Sequence, residues 1–369
     1  MGARIPILDL SAEWAEVGAD VEAAVVRVLR SGQYILGPET AALEKDVADL
    51  VGTRHCVGVG SGTEALWLAL VALGIGAGDE VVTSPFTYFA TVEAILWAGA
   101  TPVFADVERE SFNLDPGRLE AALGPRTKAI LPVHLFGRCA DMARIGAIAA
   151  ARGIAVVEDA AQAIGAARGG RRAGSFGRAG CFSFYPSKNL GAAGDGGCVT
   201  TDDDGLAERL RLLRAHGSPR RDVHECLGTT SRLDAVQAAV LRAKLPRLEG
   251  WTAARARRAA RYAQALAGCG GVTTPGAGRD EVHVWNQYTI RCREAPRVRA
   301  ALEAEGVEWR HYYPTPAWAQ PALAGRGRLA APCPETEAAC REVLSLPIHP
   351  HLAPEDVDRI ARVIRSALE

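Results

Sequence analysis

The sequence predicts an α/β fold: a mostly parallel sheet flanked by helices, followed by a smaller domain. Three observations carry the prediction. Between residues 55 and 159, short apolar or β-branched runs alternate with longer helical ones, the pattern of βαβ units. Glycines stand where those helices should end, at Gly74, Gly99 and Gly153, because a left-handed C-terminal cap favours a residue without a Cβ. After the glycine cluster GCGGVTTPGAG (268–278) the alternation gives way to a different character. A chain of 369 residues is long for one core, and length suggests two domains. We set their boundary near 250, giving a large domain over 1–250 and a small one over 251–369.

The elements follow in order. HCVGV (55–59) reads as a strand and EALWLALVALG (64–74) as a helix; EVVTS (80–84) and TVEAILWAG (91–99) repeat the pair. TPVFADV (101–107) precedes a helix near PGRLEAAL (116–123), and KAILPVH (128–134) precedes DMARIGAIAAARG (141–153). IAVVED (154–159) closes the series. From about 204 to 268 the pattern is mainly helical, and Pro246 should bend or interrupt RLDAVQAAVLRAKLPRLEGW (232–251), since proline lacks the amide proton a helix interior uses. HVWNQYTIRC (283–292) reads as a strand, with helices at 296–306, near 335–344 and at 354–368.

Bulk properties exclude several classes. A net charge of −1 gives no reason to expect nucleic acid or an anionic membrane as partner. MGARIPILDL lacks the apolar core of a signal peptide, Pro6 breaks the myristoylation pattern, and no apolar run approaches a membrane span. Nine scattered cysteines with no CxxC pair point to reduced thiols in the cytoplasm. His134 and His216 have no ligand spacing around them, so no metal is expected.

Three motifs carry chemistry. The 42 basic side chains include only four lysines, Lys45, Lys128, Lys188 and Lys244; the other 38 are arginines. Lys188 stands in FSFYPSKNLGAAGDGG (182–197), between a strand-like run and a glycine turn. A desolvated lysine can become a neutral nucleophile, which an arginine cannot. VGVGSGTEAL (57–66) places Ser61, Gly62 and Thr63 between a strand and a helix start, where freed amides bind an anion. Its G-x-G-x-x-T lacks the third glycine of a dinucleotide fingerprint, so a single phosphate fits better; a purely structural turn is the rival reading. In IAVVEDAAQ the strand ends at Glu158–Asp159, with Gln162 three residues on. Asp159 then meets a ligand beyond the strand end or caps a helix. Together an amine, an anion cradle and a carboxylate are the parts that hold pyridoxal 5′-phosphate: lysine bonds to its aldehyde and the carboxylate keeps the pyridine nitrogen protonated. An amide such as Gln162 can reach the ring hydroxyl, and Phe86, Tyr88 and Phe89 offer an aromatic cover.

On these residues, with SGQYILGPE (31–39), PFTYFAT, GDGG (194–197), NQYT (286–289) and SLPIHP (345–350), the chain resembles the DegT–StrS family of nucleotide-sugar aminotransferases over essentially its whole length. The resemblance implies the fold type I of aspartate aminotransferase: a large domain around a seven-stranded, mostly parallel sheet, a smaller C-terminal α+β domain, and a homodimer with shared active sites. It matches Lys188 to the Schiff-base lysine, Asp159 to the partner of the pyridine nitrogen and Gln162 to the ring hydroxyl contact. Gly62, Thr63 and Ser183 match phosphate contacts, and Tyr88 the stacking ring. The family's asparagine that reaches the neighbouring subunit's phosphate is here Thr230, in GTTSRL (228–233), with a shorter reach.

The resemblance implies transfer of an amino group, from a donor such as glutamate, to a nucleotide-linked keto-sugar. YILGPE, FTYFATVEA, PSK with GDGG, and SLPIHPHL are most similar to enzymes that aminate carbon 3 of a dTDP- or UDP-linked sugar; carbon-4 aminases share the same cofactor residues. Arg310, His311, Tyr312 and Tyr313 are candidates for sugar binding, or for a structural aromatic turn. Sugar dehydratases of this kind replace the lysine by histidine, and a regulatory relative would lack the cofactor residues; Lys188 and its companions argue against both.

Overall fold

The structure, a computed structural model, describes residues 4–369; residues 1–3, the start of the N-terminal stretch read above for a leader, lie outside them. Seven strands form the main sheet: β1 (His55–Val59), β2 (Glu80–Thr83), β3 (Thr101–Phe104), β4 (Thr127–Leu131), β5 (Ala155–Asp159), β6 (Ala179–Ser183) and β7 (Gly197–Thr201). Their order is β1-β7-β6-β5-β4-β2-β3, and the two-residue strand Arg328–Leu329 extends the β3 edge as an eighth member. Only β7 runs against the others. The eighth strand, supplied by the C-terminal part of the chain, is the one addition to the expected seven.

Alternation along the strands makes the two faces of the sheet. Val57, Val59, Val81, Leu131, Val157, Cys181 and Val199 pack with helices Gly62–Ala72 and Asp204–Leu213 in one cluster. Their neighbours Val82, Ile130 and Val156 join helix Met142–Arg152 on the other face, while Cys56, Phe182 and Cys198 pack there with helix Pro38–Val51. Strands buried on both faces read as near-continuous apolar runs, which is why these segments were visible in the sequence. Gly74, Gly99 and Gly153 all have positive φ (76°, 85° and 63°) just beyond their helices.

The small domain pairs Val272–Thr273, Tyr288–Cys292 and Val343–Leu346 in an antiparallel sheet. Helices Ala295–Ala304 and Pro354–Leu368 cover it, with the end of Leu248–Ala265. The expected dividing point at 250 falls inside that last helix: Leu248 belongs to a large-domain cluster, Ala259 and Tyr262 to the small-domain one. Ile5 also joins the small-domain core, pairing with Val307. Pro246 lies in a 3-10 turn, Leu245–Arg247, that separates helices Ala235–Lys244 and Leu248–Ala265.

Four expectations need correction. Helices Leu10–Ser31 and Pro38–Val51 were not anticipated. The strand expected over 283–292 is extended only over Tyr288–Cys292, because His283–Gln287 turn back toward the large domain, where Val284 N–H bonds Gly137 O at 2.9 Å. The helix expected at 116–123 is one 3-10 turn and four α residues. Residues 214–234, inside the span expected to be mainly helical, contain no helix.

Candidate active site

The main sheet brings the predicted motifs to one rim. Val59 and Ser183 both pair with Gly197, and Asp159 pairs with Cys181. The carboxyl ends of β1, β6 and β5 therefore lie side by side, where ligands of parallel sheets bind.

At this rim Ser61 caps helix Gly62–Ala72: its Oγ accepts from Glu64 N–H at 3.1 Å, and its carbonyl accepts from Ala65 N–H at 3.0 Å. Among the described residues the Gly62 and Thr63 amides have no protein acceptor, and they sit at the positive end of the helix dipole. Ser61 thus serves the turn with its hydroxyl and its carbonyl, leaving the next two amides open. The glycines are required by close approach. A Cβ on Gly62 would lie 2.6 Å from Ser183 Cβ, and one on Gly197 would lie 2.5 Å from the Ser61 carbonyl carbon.

Lys188 follows β6 in a turn closed by its own N–H to Tyr185 O at 2.8 Å. Asn189 anchors that turn to the small domain, donating to Val284 O and accepting from Asn286 Nδ2, both at 2.7 Å. Burial lowers the Lys188 ammonium to about 8, against the opposing pull of Asp159. Asp159 is itself buried, 6% exposed. Its Oδ2 accepts from Thr91 Oγ1 at 2.8 Å and its Oδ1 from Ala161 N–H at 3.1 Å. Burial raises its carboxyl above the usual range, and those two hydrogen bonds, then Lys188, draw it back. No helix follows Asp159; residues 161–162 form a turn, so its side chain caps no helix.

Strand alternation sends Glu158 to the opposite face. Its Oε1 accepts from Phe176 and Gly177 N–H, and its Oε2 from Gly174 N–H, all at 2.7 Å. His134 Nδ1 accepts from Ala140 N–H at 3.1 Å, so Nε2 carries the proton and donates to Glu158 at 2.8 Å. One carboxylate of the pair closes a loop; the other faces the rim.

Gln162 is held on both sides: Oε1 accepts from Phe136 N–H at 2.7 Å, and Nε2 donates to Tyr313 OH at 3.2 Å. Burial raises the Tyr313 phenol well above its ordinary value. Of the three aromatic candidates, Phe86 is fully buried and Phe89 packs beside Phe104, while Tyr88 is 63% exposed, its ring centroid 6.4 Å from that of Tyr313. Tyr312 packs with Phe86 and Cys340. His311 Nε2 lies 2.7 Å from Cys340 O, and burial lowers its imidazolium. Arg310 is half-exposed beside Glu308 at 3.8 Å. Thr230 is exposed, its hydroxyl accepting from Arg232 at 2.7 Å, while the next residue, Ser231, accepts from Gly60 N–H at 3.1 Å.

Sequence reasoning missed Thr91, Asn189 and Asn286 as supports of the site. All three stand inside quoted motifs, but only the folded structure reveals what they touch. The donor set fits pyridoxal phosphate. Two free first-turn amides beside Ser183 suit a phosphate, a neutralisable amine suits the aldehyde, a buried carboxylate suits the ring nitrogen, and Tyr88 offers an open face. Among the described residues no group of His, Cys, Asp or Glu is arranged to hold a metal ion, and no helix is long and apolar enough to cross a membrane.

Comparison with known proteins agrees. The model of the DegT/DnrJ/EryC1/StrS aminotransferase family matches residues 16–365. The chain is 47% identical to the UDP-N-acetyl-3-dehydro-alpha-D-glucosamine 3-aminotransferase of Acidithiobacillus ferrooxidans, covering 99% of this chain and 98% of the relative. It is 44% identical to the pleiotropic regulatory protein of Geobacillus stearothermophilus, over 98% and 99% of the two chains. The crystal structure of S. venezuelae DesV in complex with a ketimine intermediate superposes with a TM-score of 0.97 at 46% identity, over 100% of this chain and 99% of that one.

Proposed function

From the premise that the chain belongs to the DegT/DnrJ/EryC1/StrS aminotransferase family and is a pyridoxal-phosphate enzyme, we propose that it moves an amino group from an amino acid, glutamate as donor, to carbon 3 of a dTDP- or UDP-linked 3-keto-sugar. The observation that carries the reading is geometric: Lys188 follows β6, the buried carboxylate of Asp159 ends the neighbouring β5, and the Gly62–Thr63 amides lie against Ser183 on the same rim. When bound, pyridoxal phosphate supplies an aldehyde for the amine and a protonated ring that draws electrons from the substrate carbon. In this reading Gly62, Thr63 and Ser183 hold the phosphate, Asp159 keeps the ring nitrogen protonated, Gln162 contacts the ring hydroxyl and Tyr88 covers the ring. Lys188 Nζ, once released, carries the proton to or from the substrate carbon. Carbon 3 rests on the 47% identical relative, whose name specifies that position. Tyr313, tied to Gln162 and beside Tyr88, is the best supported of the four sugar candidates; Arg310, His311 and Tyr312 complete the segment.

The reading includes a homodimer in the cytoplasm. Exposed apolar side chains support association: Leu10, Trp14, Val26 and Leu29 on the first helix, Tyr34 and Ile35 after it, and Leu227. Thr230 then reaches the partner's phosphate. All nine cysteines are free thiols, which suits a reducing compartment.

A panel of amino nucleotide sugars incubated with 2-oxoglutarate tests the substrate. Loss of the amine from carbon-3 amino sugars is expected; loss only from carbon-4 compounds refutes the position. Lys188→Ala should abolish both turnover and the visible absorbance of the bound cofactor. A yellow, active variant would refute the assignment of Lys188, and wild-type protein that never takes up the cofactor would favour the regulatory role named in one relative.

A further inference from the structure

Thr91 lies at the second position of helix Ala90–Trp97 and is 1% exposed. Threonine in a helix commonly bonds back to a carbonyl one turn earlier. Here the hydroxyl instead crosses to the end of β5, 2.8 Å from Asp159 Oδ2, and lies 2.8 Å from the buried hydroxyl of Thr87. Each hydroxyl has one proton and two lone pairs, so the three groups can be oriented unambiguously once the charge is set. An ionised carboxylate only accepts; Thr91 must therefore donate to Asp159, and it is left to accept from Thr87. The chain of donors runs Thr87 to Thr91 to Asp159.

Resting on the reading of Asp159 as partner of the ring nitrogen, we propose that Thr91 is a positioning residue: backed by Thr87, it holds Asp159 ionised and aimed at that nitrogen. The need for such a device follows from the surroundings. Burial favours the neutral acid, which could not act as counter-charge to a protonated ring. The titratable groups that interact with Asp159 are Lys188, His134, Tyr313 and Cys181. Only Lys188 among them is a standing cation, and its charge is lost when its amine bonds to an aldehyde or acts as a base. The two hydrogen bonds to Asp159, from Thr91 and from the Ala161 amide, do not depend on the charge of the lysine. Of these only the threonine can be removed by substitution.

The test uses the holoenzyme loaded with cofactor labelled with 15N in its ring. In wild type and in Thr91→Ser the ring resonance should report a protonated nitrogen at neutral pH. In Thr91→Val and Thr91→Ala it should move toward the neutral ring, and the cofactor dissociation constant should rise about tenfold or more, as for loss of a hydrogen bond to a charged group. Thr91→Ala adds no branch and keeps the test available should the valine variant fail to fold. Unchanged resonance and affinity in both would overturn the proposal. So would an equal shift in Thr91→Ser, which would assign the effect to the methyl group. A wild-type enzyme with no protonated ring signal would defeat the reading of Asp159 itself, a result distinct from a normal wild type with silent variants.

Discussion

Because the Lys188 amine loses hydration on burial, with Asp159 the one charge pulling the other way, its ammonium form is disfavoured and the neutral amine becomes available near neutrality. With its pKa drawn down to about 8, the neutral amine is populated far more at pH 7 than in an ordinary lysine, whose pKa is about 10.4. The capture of an aldehyde by Lys188 in cofactor-free protein should therefore rise with pH to a plateau, with its midpoint near 8 rather than above 10. Asp159 pulls the other way, favouring the ammonium, so Asp159→Asn should move the midpoint lower while weakening cofactor binding. A stopped-flow pH series on the two proteins checks this; a higher midpoint in the variant would contradict the electrostatics. The sign for stability is the same. Lys188 binds its proton more weakly folded than unfolded, so its own contribution to the stability of cofactor-free protein is least below about 8 and grows as pH rises toward the unfolded value of about 10.4.

The contact between helix Gly62–Ala72 and β6 sets how closely the proposed anion cradle closes. An alanine at 62 would place its Cβ 2.6 Å from Ser183 Cβ, so the helix or the strand end must shift. Overpacking of this kind costs about 1–3 kcal/mol. Gly62→Ala should lower the melting temperature by several degrees and weaken cofactor binding, and adding Ser183→Gly should recover stability without recovering affinity. Thermal scans with a cofactor titration read both; wild-type values for Gly62→Ala would show that the cradle tolerates a side chain. This contact also marks what the sequence could reveal. The strands β1 to β5 and their helices were legible because apolar runs and capping glycines are local signals, and Lys188, Asp159 and the Ser61–Thr63 turn were legible because each ends or follows such a run. Helix Leu10–Ser31 was missed because leucine, valine and tryptophan are left exposed along it, blurring the apolar stripe that marks a helix. Thr91 was missed because its partner lies 68 residues away, across a sheet whose order β5-β4-β2 no local pattern encodes.

The chain as a whole leaves apolar surface uncovered around its N-terminal helix and at Leu227, which is 97% exposed. Scattered exposed apolar residues are ordinary on a monomer, but Leu227 stands three residues before Thr230, the position that the dimer reading sends into the partner's phosphate site. The segment from Ser218 to Gly228 is tied back to residues 215–217, with Ser218 N–H on Ala215 O, Glu225 N–H on Gly217 O and His224 Nδ1 2.9 Å from His216 O. If a second copy covers it, Leu227→Asp should weaken association without harming the fold, because in the single chain that side chain touches almost nothing. A buried interfacial leucine replaced by a charge commonly costs more than about 2 kcal/mol, so the dimer dissociation constant should rise by about thirtyfold or more. Light scattering across a dilution series should then show monomer at concentrations where the wild type is dimeric, with unchanged circular dichroism. If Thr230 acts across the interface, cofactor affinity should fall in step with dissociation. A variant that stays as dimeric as the wild type places Leu227 outside the contact. A monomeric variant with full cofactor affinity makes each site self-sufficient and removes Thr230 from it.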